Sequence, residues 1–468
     1  MKRLTPSDAM FLYGESRETM MHVAGLLLFT PAPDTPPDFL RQLMDDLRAG
    51  SPVFSPWNLK LRTPELLRNP LQAWVEEPEV DVEYHVRRTA LPSPGDEREL
   101  GTLISRLHGY AVDFHRPPWE MHLIEGLERN RFALYVKVHH ALVDGYTAMR
   151  LLIHGLTHDP DDRERPLFFA IPPPERPRRE PRPEKEKEKD KDEETGGGIH
   201  FAEMLAAIRA QVGATKTVAR ALVRAVQGED ELVTPLQAPR CVLNQKISRN
   251  RRFATQTLEI ERIRAVARAV DGTFNDVVLA LSATSLRRYL LELDALPAAP
   301  LVAMLPVSVR TKDDAGGGNA VGAILASLAT DIEDPEERIA EIVASTRTAK
   351  QQLHGMSKAQ ILSYSALLTT PAMLQMMPGV AGRVRPTFNV VISNVPGPDT
   401  ALYFRGARLD ASYPLSIPVH GQGLNITCNS YAGKVCFGFT GCRDTVPHLQ
   451  RLAVYTGDAL VELERAVL

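Results

Sequence analysis

The sequence predicts an α/β protein of two halves, each a mixed sheet layered with helices. Three observations predict it. At 468 residues the chain is too long for one ordinary core, and two domains of about 170–230 residues fit the usual range. Strand-like and helix-like stretches alternate through both halves, the pattern of sheets covered by helices. Between the halves lies a segment that cannot bury a core. Prolines crowd residues 172–183, lysine alternates with glutamate and aspartate over 184–194, and glycines fill 196–198. Acids match bases nearly one for one there, so the segment reads as a solvated tether and not as a basic patch. The expected divisions are an N-terminal domain over 1–165, the linker over 166–198, a connecting helix over 199–234 and a C-terminal domain over 235–468.

In the first half, residues 6–15 predict a short helix and 20–30 a strand, with His22 expected as a core or loop residue. Residues 37–49 are amphipathic and helical, 80–86 alternate as a strand, and 98–109 form a further helix. Pro117 and Pro118 end that stretch. Trp119 opens a strand over 119–127 that turns back through Glu128, Arg129 and Asn130. Trp119 is expected as a packing anchor near the site and a candidate substrate contact. The next strand, 131–138, sets Phe132, Leu134, Val136 and Val138 on one parity and Ala133, Tyr135 and Lys137 on the other. That alternation marks a half-buried strand. It runs into His139-His140-Ala141-Leu142-Val143-Asp144-Gly145, and helix-forming residues follow from Tyr146. Asp144 and Gly145 are placed to cap that helix.

The connecting helix over 199–227 has Phe201, Met204, Leu205 and Ile208 on its apolar side and Arg209, Lys216, Arg220 and Arg224 on a basic face. It reads either as packing across the domains or as lying on a membrane. Beyond it, 252–260 is a strand and 261–270 a helix, and residues 272–276 cap a second helix over 277–292. Asn275 and Asp276 read equally as a helix cap and as part of a site. Residues 301–309 lack alternation and predict a fully buried strand that ends at Arg310. Residues 316–319 form a turn into a strand over 320–328, and helices follow over 335–353 and 358–374. A strand over 388–394, carrying Asn394, stops at Pro396-Gly397-Pro398; residues 424–440 read as a hairpin and 446–468 as a closing helix.

Composition excludes several classes. With 44% hydrophobic and 24% charged residues and a net charge of −3, the chain is globular and has no electrostatic case for nucleic acid. Cys241, Cys428, Cys436 and Cys442 form no CxxC pair and no metal-like spacing, so they read as reduced, packed residues of a cytoplasmic protein. The start leads into no cleavable apolar stretch, and no window approaches the roughly 18 apolar residues of a membrane span. The expectation is a soluble chain or one that rests on a membrane surface.

A lone histidine at a strand end is usually an ordinary polar residue. Two in a row, followed by Asp-Gly on a strand–loop–helix, is a narrower pattern. It makes a poor metal site, because adjacent side chains on a strand point to opposite faces and no third ligand stands at zinc spacing. No metal is expected. Asp144 reads as the residue that holds the turn, which leaves one histidine free to act as a base.

The motifs together resemble a known group. His139-His140-Ala141-Leu142-Val143-Asp144-Gly145 matches the H-H-x-x-x-D-G signature of the chloramphenicol acetyltransferase-like acyltransferases, which also include peptide-synthetase condensation domains. Leu4-Thr5-Pro6-Ser7-Asp8-Ala9-Met10-Phe11, Met21-His22-Val23, Arg116-Pro117-Pro118-Trp119-Glu120, Asn275-Asp276, residues 389–398 and Leu424-Asn425-Ile426-Thr427 are similar to the bacterial wax ester synthase/diacylglycerol acyltransferase family. The likeness spans nearly the whole chain except the charged linker. One departure is that the family's usual Pro-Leu-Trp reads Pro117-Pro118-Trp119 here, with the tryptophan and the following glutamate kept.

The resemblance implies two chloramphenicol acetyltransferase-like domains facing each other across a substrate tunnel. It implies transfer of a fatty acyl group from acyl-CoA, a substrate and not a cofactor, to a long-chain alcohol or a diacylglycerol, giving wax ester or triacylglycerol. His140 stands where the family has its general base. His139 is expected to face the other way and support the loop, Asp144 to pair with Arg310, and Gly145 to let the helix start close to the ligand. Asn275 and Asp276 are expected to complete the site or hold it, and Asn394 or a backbone N–H near Ser393 is the candidate oxyanion donor. The substrates and the basic helix together suggest a place at the inner membrane or a lipid-inclusion surface. Two other readings fit less of the chain: a condensation-type domain fed by a carrier protein, and a non-catalytic lipid-binding protein of the same fold.

Overall fold

The computed structural model describes residues 2–48, 50–69, 71–172, 233, 237–308, 321–375, 380 and 383–468. Its first part runs β1 (Lys2–Arg3), α1 (Pro6–Gly14), β2 (His22–Thr30), α2 (Phe39–Arg48), β3 (Leu59–Leu61), β4 (Ala73–Glu76), α3 (Val82–His85), β5 (Val86–Ala90), α4 (Glu97–His108), β6 (Trp119–Leu127), β7 (Arg131–His139) and α5 (Gly145–His154). Its second part runs β8 (Arg251–Glu259), α6 (Ile260–Ala269), α7 (Phe274–Glu292), β9 (Val302–Ser308), β10 (Val321–Ser327), α8 (Pro335–Leu353), α9 (Lys358–Gln375), β11 (Val390–Val395), β12 (Tyr403–Phe404), β13 (Ala407–Leu415), β14 (Leu424–Tyr431), β15 (Lys434–Cys442) and α10 (Gln450–Val467). The charged tether, the connecting helix over 199–227, Arg310 and the turn at 316–319 lie outside the described residues.

Two six-stranded sheets carry the fold, as the alternating pattern predicts. The second orders its strands β10-β9-β11-β14-β15-β8, parallel across β9, β11 and β14 and antiparallel elsewhere. Helices α6, α7 and α10 bury Ile263, Leu281 and Leu460 against its Phe437 and Phe439. The first orders them β12-β13-β2-β7-β6-β5, antiparallel except for β5 against β6. Its outer strands β12 and β13 come from the far end of the chain. The reason is local: β2 is buried along nearly its whole length and, without β13, would present its second edge unpaired. β13 covers that edge from Leu415 opposite Ala24 to Arg408 opposite Thr30, with an irregularity between Leu409 and Ala411. The first sheet is thus completed from the second half, which a division at 234/235 does not anticipate.

Two element expectations are corrected. Residues 82–85 are helical where an alternating strand is expected, because the Asp81 carboxylate accepts the Tyr84 N–H at 3.1 Å and caps a turn before β5 begins. β9 is not fully buried: Met304, Leu305, Pro306 and Val307 are half-exposed, since β11 pairs β9 only at Ala303 and Met304 and beyond them β9 has the edge strand β10 alone beside it. The halves meet on an apolar seam where Leu26, Ile104 and Tyr135 pack with Phe253, Tyr413 and Cys436. Polar bonds stitch the same seam: Ser105 Oγ accepts the Phe253 N–H at 3.0 Å, and the buried Arg251 donates to the Glu18 carbonyl at 2.5 Å.

Candidate active site

The β6–β7 hairpin delivers both histidines to one end of the first sheet. Its turn needs left-handed backbone at Arg129 (φ 60°) and Asn130 (φ 56°), which asparagine tolerates well. At the far end, Pro118 accepts the His139 N–H at 2.9 Å, and Met21 accepts the His140 N–H at 2.8 Å. The strand ladder is thereby extended by one residue before the chain turns. Leu142 N–H then reaches back to the His139 carbonyl at 2.9 Å, and Asp144 begins α5. Its carboxylate accepts the Thr147 N–H at 2.7 Å, the cap that its place in the sequence predicts. A β-carbon on Gly145 would meet no protein atom within 4 Å, so the protein's own packing does not demand glycine there.

The histidines differ in every respect that matters for chemistry. His139 is fully buried, lies on the Tyr135 and Lys137 parity, and meets the Phe114 ring edge-on at 4.9 Å. Its Nδ1 accepts the Ala141 N–H at 3.1 Å, so the ring proton belongs on Nε2. Nε2 faces the Glu15 carboxylate at 3.4 Å, within charge–dipole reach though not aligned as a hydrogen bond. That carboxylate also accepts the Met21 N–H at 2.6 Å. His139 is therefore locked as a support for the turn.

His140 is half-buried and lies face to face with Phe11, ring centroids 3.9 Å apart and 20° from parallel. Its Nδ1 is buried and makes no well-formed hydrogen bond among the described residues. Burial drives its pKa down to about 4, while the Asp144 carboxylate opposes the fall and His139 adds to it. At neutral pH this imidazole carries no charge. It is a base with a lone pair to offer, and its conjugate acid gives a proton back readily.

Other expected site residues form a second group in the C-terminal sheet. Asn394, on β11, donates to Asn275 Oδ1 at 2.9 Å and accepts a weak bond from the Cys428 thiol at 3.5 Å. Asp276 is committed to the fold. It is 2% exposed, one oxygen accepts the Thr273 N–H and hydroxyl, both at 2.7 Å, and the other accepts the Thr346 hydroxyl at 2.7 Å. Of the two expectations for Asn275 and Asp276, the cap fits Asp276, and Asn275 is left to orient Asn394. Arg310, the expected partner of Asp144, lies outside the described residues.

Trp119 is a packing anchor. It is 1% exposed, its indole N–H donates to the Trp57 carbonyl at 2.7 Å, and His85 stacks on it at 4.5 Å while bonding its carbonyl at 2.8 Å. This cluster fixes the Pro117-Pro118 segment whose carbonyl holds His139. His22, Cα partner of His139 across β2 and β7, is a core residue: its Nε2 meets the His108 carbonyl at 3.0 Å, and burial holds its pKa well below the usual imidazole range. Two neighbours of the histidines, Phe11 and Glu15, are not among the residues that the sequence marks as a site. Phe11 closes the Leu4–Phe11 motif, a signal that was present; Glu15 belongs to no motif.

Comparison with known proteins bears on what this arrangement does. Residues 4–278 match the family model of the wax ester synthase/diacylglycerol acyltransferase catalytic domain, and residues 317–464 match that family's C-terminal domain. A putative diacylglycerol O-acyltransferase of Mycobacterium tuberculosis H37Rv is 49% identical over 99% of this chain and 97% of its own length. The O-acyltransferase WSD of Acinetobacter baylyi is 39% identical over 100% and 98%. The structure of the wax ester synthase/diacylglycerol acyltransferase from Marinobacter aquaeolei VT8 is similar over 100% of both chains, with 40% identity and a TM-score of 0.79. The first condensation domain of the calcium-dependent antibiotic synthetase, 16% identical with a TM-score of 0.59, shares the fold alone.

Proposed function

The chain belongs to the wax ester synthase/diacylglycerol acyltransferase family and is an acyltransferase, and on that premise we propose that it moves a long-chain acyl group from acyl-CoA to a long-chain alcohol or a diacylglycerol, with His140 as general base. The observation that carries the proposal is the state of His140: uncharged, half-buried, held at both backbone ends of its turn, with one ring nitrogen closed off. An alcohol is a poor nucleophile at neutral pH, and a thioester carbonyl is a good electrophile. The missing component is a base within hydrogen-bond reach of the hydroxyl. With Nδ1 shut into the protein, Nε2 is the nitrogen that takes the proton.

The alcohol oxygen bonds to the thioester carbon as its proton passes to Nε2, and the carbonyl electron pair moves onto oxygen. Collapse of that tetrahedral oxyanion breaks the C–S bond, and the departing thiolate takes the proton from the imidazolium. No acyl-enzyme forms in this sequence. Asp144 stabilises the transient imidazolium electrostatically, in keeping with its upward pull on the His140 pKa. Asn394 donates one amide N–H to Asn275 and has a second to offer, so it is the candidate oxyanion donor. Gly145 leaves room for ligand at the start of α5.

No helix among the described residues is long and apolar enough to cross a membrane. Contact with a lipid surface is assigned instead to the basic amphipathic stretch over 199–227. Flotation with anionic vesicles, with and without that stretch, tests the assignment, and equal flotation of both forms removes it.

The reaction is tested by CoA release from palmitoyl-CoA with hexadecanol, with a diacylglycerol and with no acceptor, alongside His140→Ala. Acceptor-dependent release that disappears in the folded variant is expected. Release that persists in His140→Ala would remove the general-base assignment, and no release with either acceptor would remove the proposed substrates.

A further inference from the structure

The carboxylate of Glu15 lies beneath the site, and its contacts are unusual for their convergence. Glu15 caps the C-terminal end of α1, with its side chain only 6% exposed. A carboxylate that far from water is costly unless it is used. One oxygen, Oε2, makes two contacts: it accepts the Met21 N–H at 2.6 Å and faces His139 Nε2 at 3.4 Å. Both partners lead to His140. Met21 accepts the His140 N–H through its carbonyl at 2.8 Å, and His139 accepts the Ala141 N–H through Nδ1 at 3.1 Å. The backbone on either side of the base is thus tied, in two steps each way, to a single buried oxygen.

We infer that Glu15 is a positioning residue for acyl transfer: it sets the angle at which His140 meets the acceptor hydroxyl by anchoring Met21 and His139 together. The inference rests on His140 being the base. Two features separate it from general stabilisation. Met21 stands directly before β2, and its N–H, in the peptide it shares with Met20, and its C=O, in the peptide it shares with His22, flank a single Cα, so a displacement of Glu15 passes through one residue to the base. The Glu15 charge also fixes which nitrogen of His139 carries the proton. In the other tautomer Nδ1 has no lone pair for the Ala141 N–H, and the turn loses its second tie. α1 contributes one turn earlier on the same face as well, since Phe11, four residues before Glu15, is the ring stacked on His140. The short N-terminal helix therefore holds the base by its ring and by its backbone at once.

The test uses the full chain, with palmitoyl-CoA and hexadecanol as probes, and compares Glu15→Ala, Glu15→Gln and His140→Ala, each checked for folding by thermal melt. Misplacement of the base lowers kcat without a matching change in substrate binding. Glu15→Ala is expected to lose roughly tenfold to a hundredfold in kcat, with KM for palmitoyl-CoA moving less than about threefold. Glu15→Gln keeps an acceptor for Met21 but not the charge facing His139, so its kcat falls between those of the parent and Glu15→Ala. In a His140→Ala background, Glu15→Ala has nothing left to position and lowers the residual rate no further. A folded Glu15→Ala or Glu15→Gln with the kcat of the parent overturns the inference. So does a loss that repeats in full on top of His140→Ala. Full activity in His140→Ala alone would instead remove the base assignment, a different result from either.

Discussion

Phe11 lies flat against His140, ring centroids 3.9 Å apart and 20° from parallel. The stack does more than fill space. It shields one face of the imidazole from water, and that shielding is part of the burial that lowers the His140 pKa to about 4. A base must be unprotonated to act, so kcat/KM follows the neutral fraction of His140 in the free enzyme. The parent is expected to stay level from pH 8 to about 5 and to lose activity only near pH 4, where a water-exposed histidine would already be half protonated at about 6.5. Phe11→Ala lets water reach the ring, raises the pKa and moves the acid limb toward neutrality. The check is kcat/KM against pH for both proteins, with circular dichroism at each pH to separate titration from unfolding. Identical acid limbs would show that the stack does not shield the base.

Asp144 has two separable effects, a cap and a charge. The cap needs only an oxygen to accept the Thr147 N–H, and asparagine supplies one nearly as well as aspartate. The charge acts on His140, whose pKa it raises. Asp144→Asn should therefore keep α5 capped while the imidazolium loses its counter-charge. The expected outcome is a stability within about 1 kcal/mol of the parent, a kcat reduced on the order of tenfold or more, and an acid limb no higher than that of the parent. Asp144→Ala removes both effects and should lose stability as well. Parent-like kcat in Asp144→Asn would reduce the residue to a cap.

Stability should fall with acid well before the base titrates. His108 is buried, pairs Nδ1 with the Tyr135 hydroxyl at 2.9 Å and Nε2 with the Ser416 carbonyl at 3.1 Å, and burial lowers its pKa to about 3. His22 beside it is held well below the usual range by burial and by His108, Lys137 and Arg251. In the unfolded chain both titrate near 6.5. Between there and the folded values the unfolded state binds more protons, so unfolding free energy rises with pH across that window. The contribution is complete above about pH 6.5 and is lost progressively as pH falls toward about 3. Urea midpoints at pH 7.5 and 5.5 should differ, and His108→Gln should narrow the difference. A midpoint that does not move between those values would contradict the burial of this pair.

The parts of this picture that were legible in the sequence are those governed by near neighbours along the chain. The β6–β7 hairpin could be read because alternation and the Glu128–Asn130 turn are local signals. The same holds for the Asp144 cap and for the Thr273–Asp276 cap of α7. Pairings between distant segments could not be read. β13 alternates Leu409, Ala411, Tyr413 and Leu415 along the chain, yet the irregularity between Leu409 and Ala411 puts Leu409 in a different core cluster from the other three, and nothing local says that it returns to β2. Glu15 was invisible for a different reason. A lone glutamate after a short helix is usually solvated, and only the approach of Met21 and His139 shows that this one is buried for a purpose. The helix at 82–85 departs from the alternation of Val80–Val86 because the Asp81 cap is the stronger physical signal over so few residues.

Asn275 and Asp276 are neighbours with opposite expected phenotypes. Asp276 is 2% exposed, and its oxygens serve the Thr273 N–H, the Thr273 hydroxyl and the Thr346 hydroxyl. Lys350 lies 3.7 Å away as a further partner. Asp276→Ala strips the capping box from α7 and takes one of two acceptors from the buried Thr346 hydroxyl, which keeps the Val343 carbonyl at 3.1 Å, a loss of about 1–3 kcal/mol. Asn275 is exposed and meets Asn394 at 2.9 Å. Asn275→Ala should leave the unfolding free energy within about 0.5 kcal/mol of the parent and lower kcat, because Asn394 loses the partner that orients its amide. The measurement is a urea titration of both variants with kcat taken on the folded fraction. Unchanged stability with abolished kcat in Asp276→Ala would move that carboxylate from the fold into the chemistry, and unchanged kcat in Asn275→Ala would remove Asn394 as the oxyanion donor that depends on it.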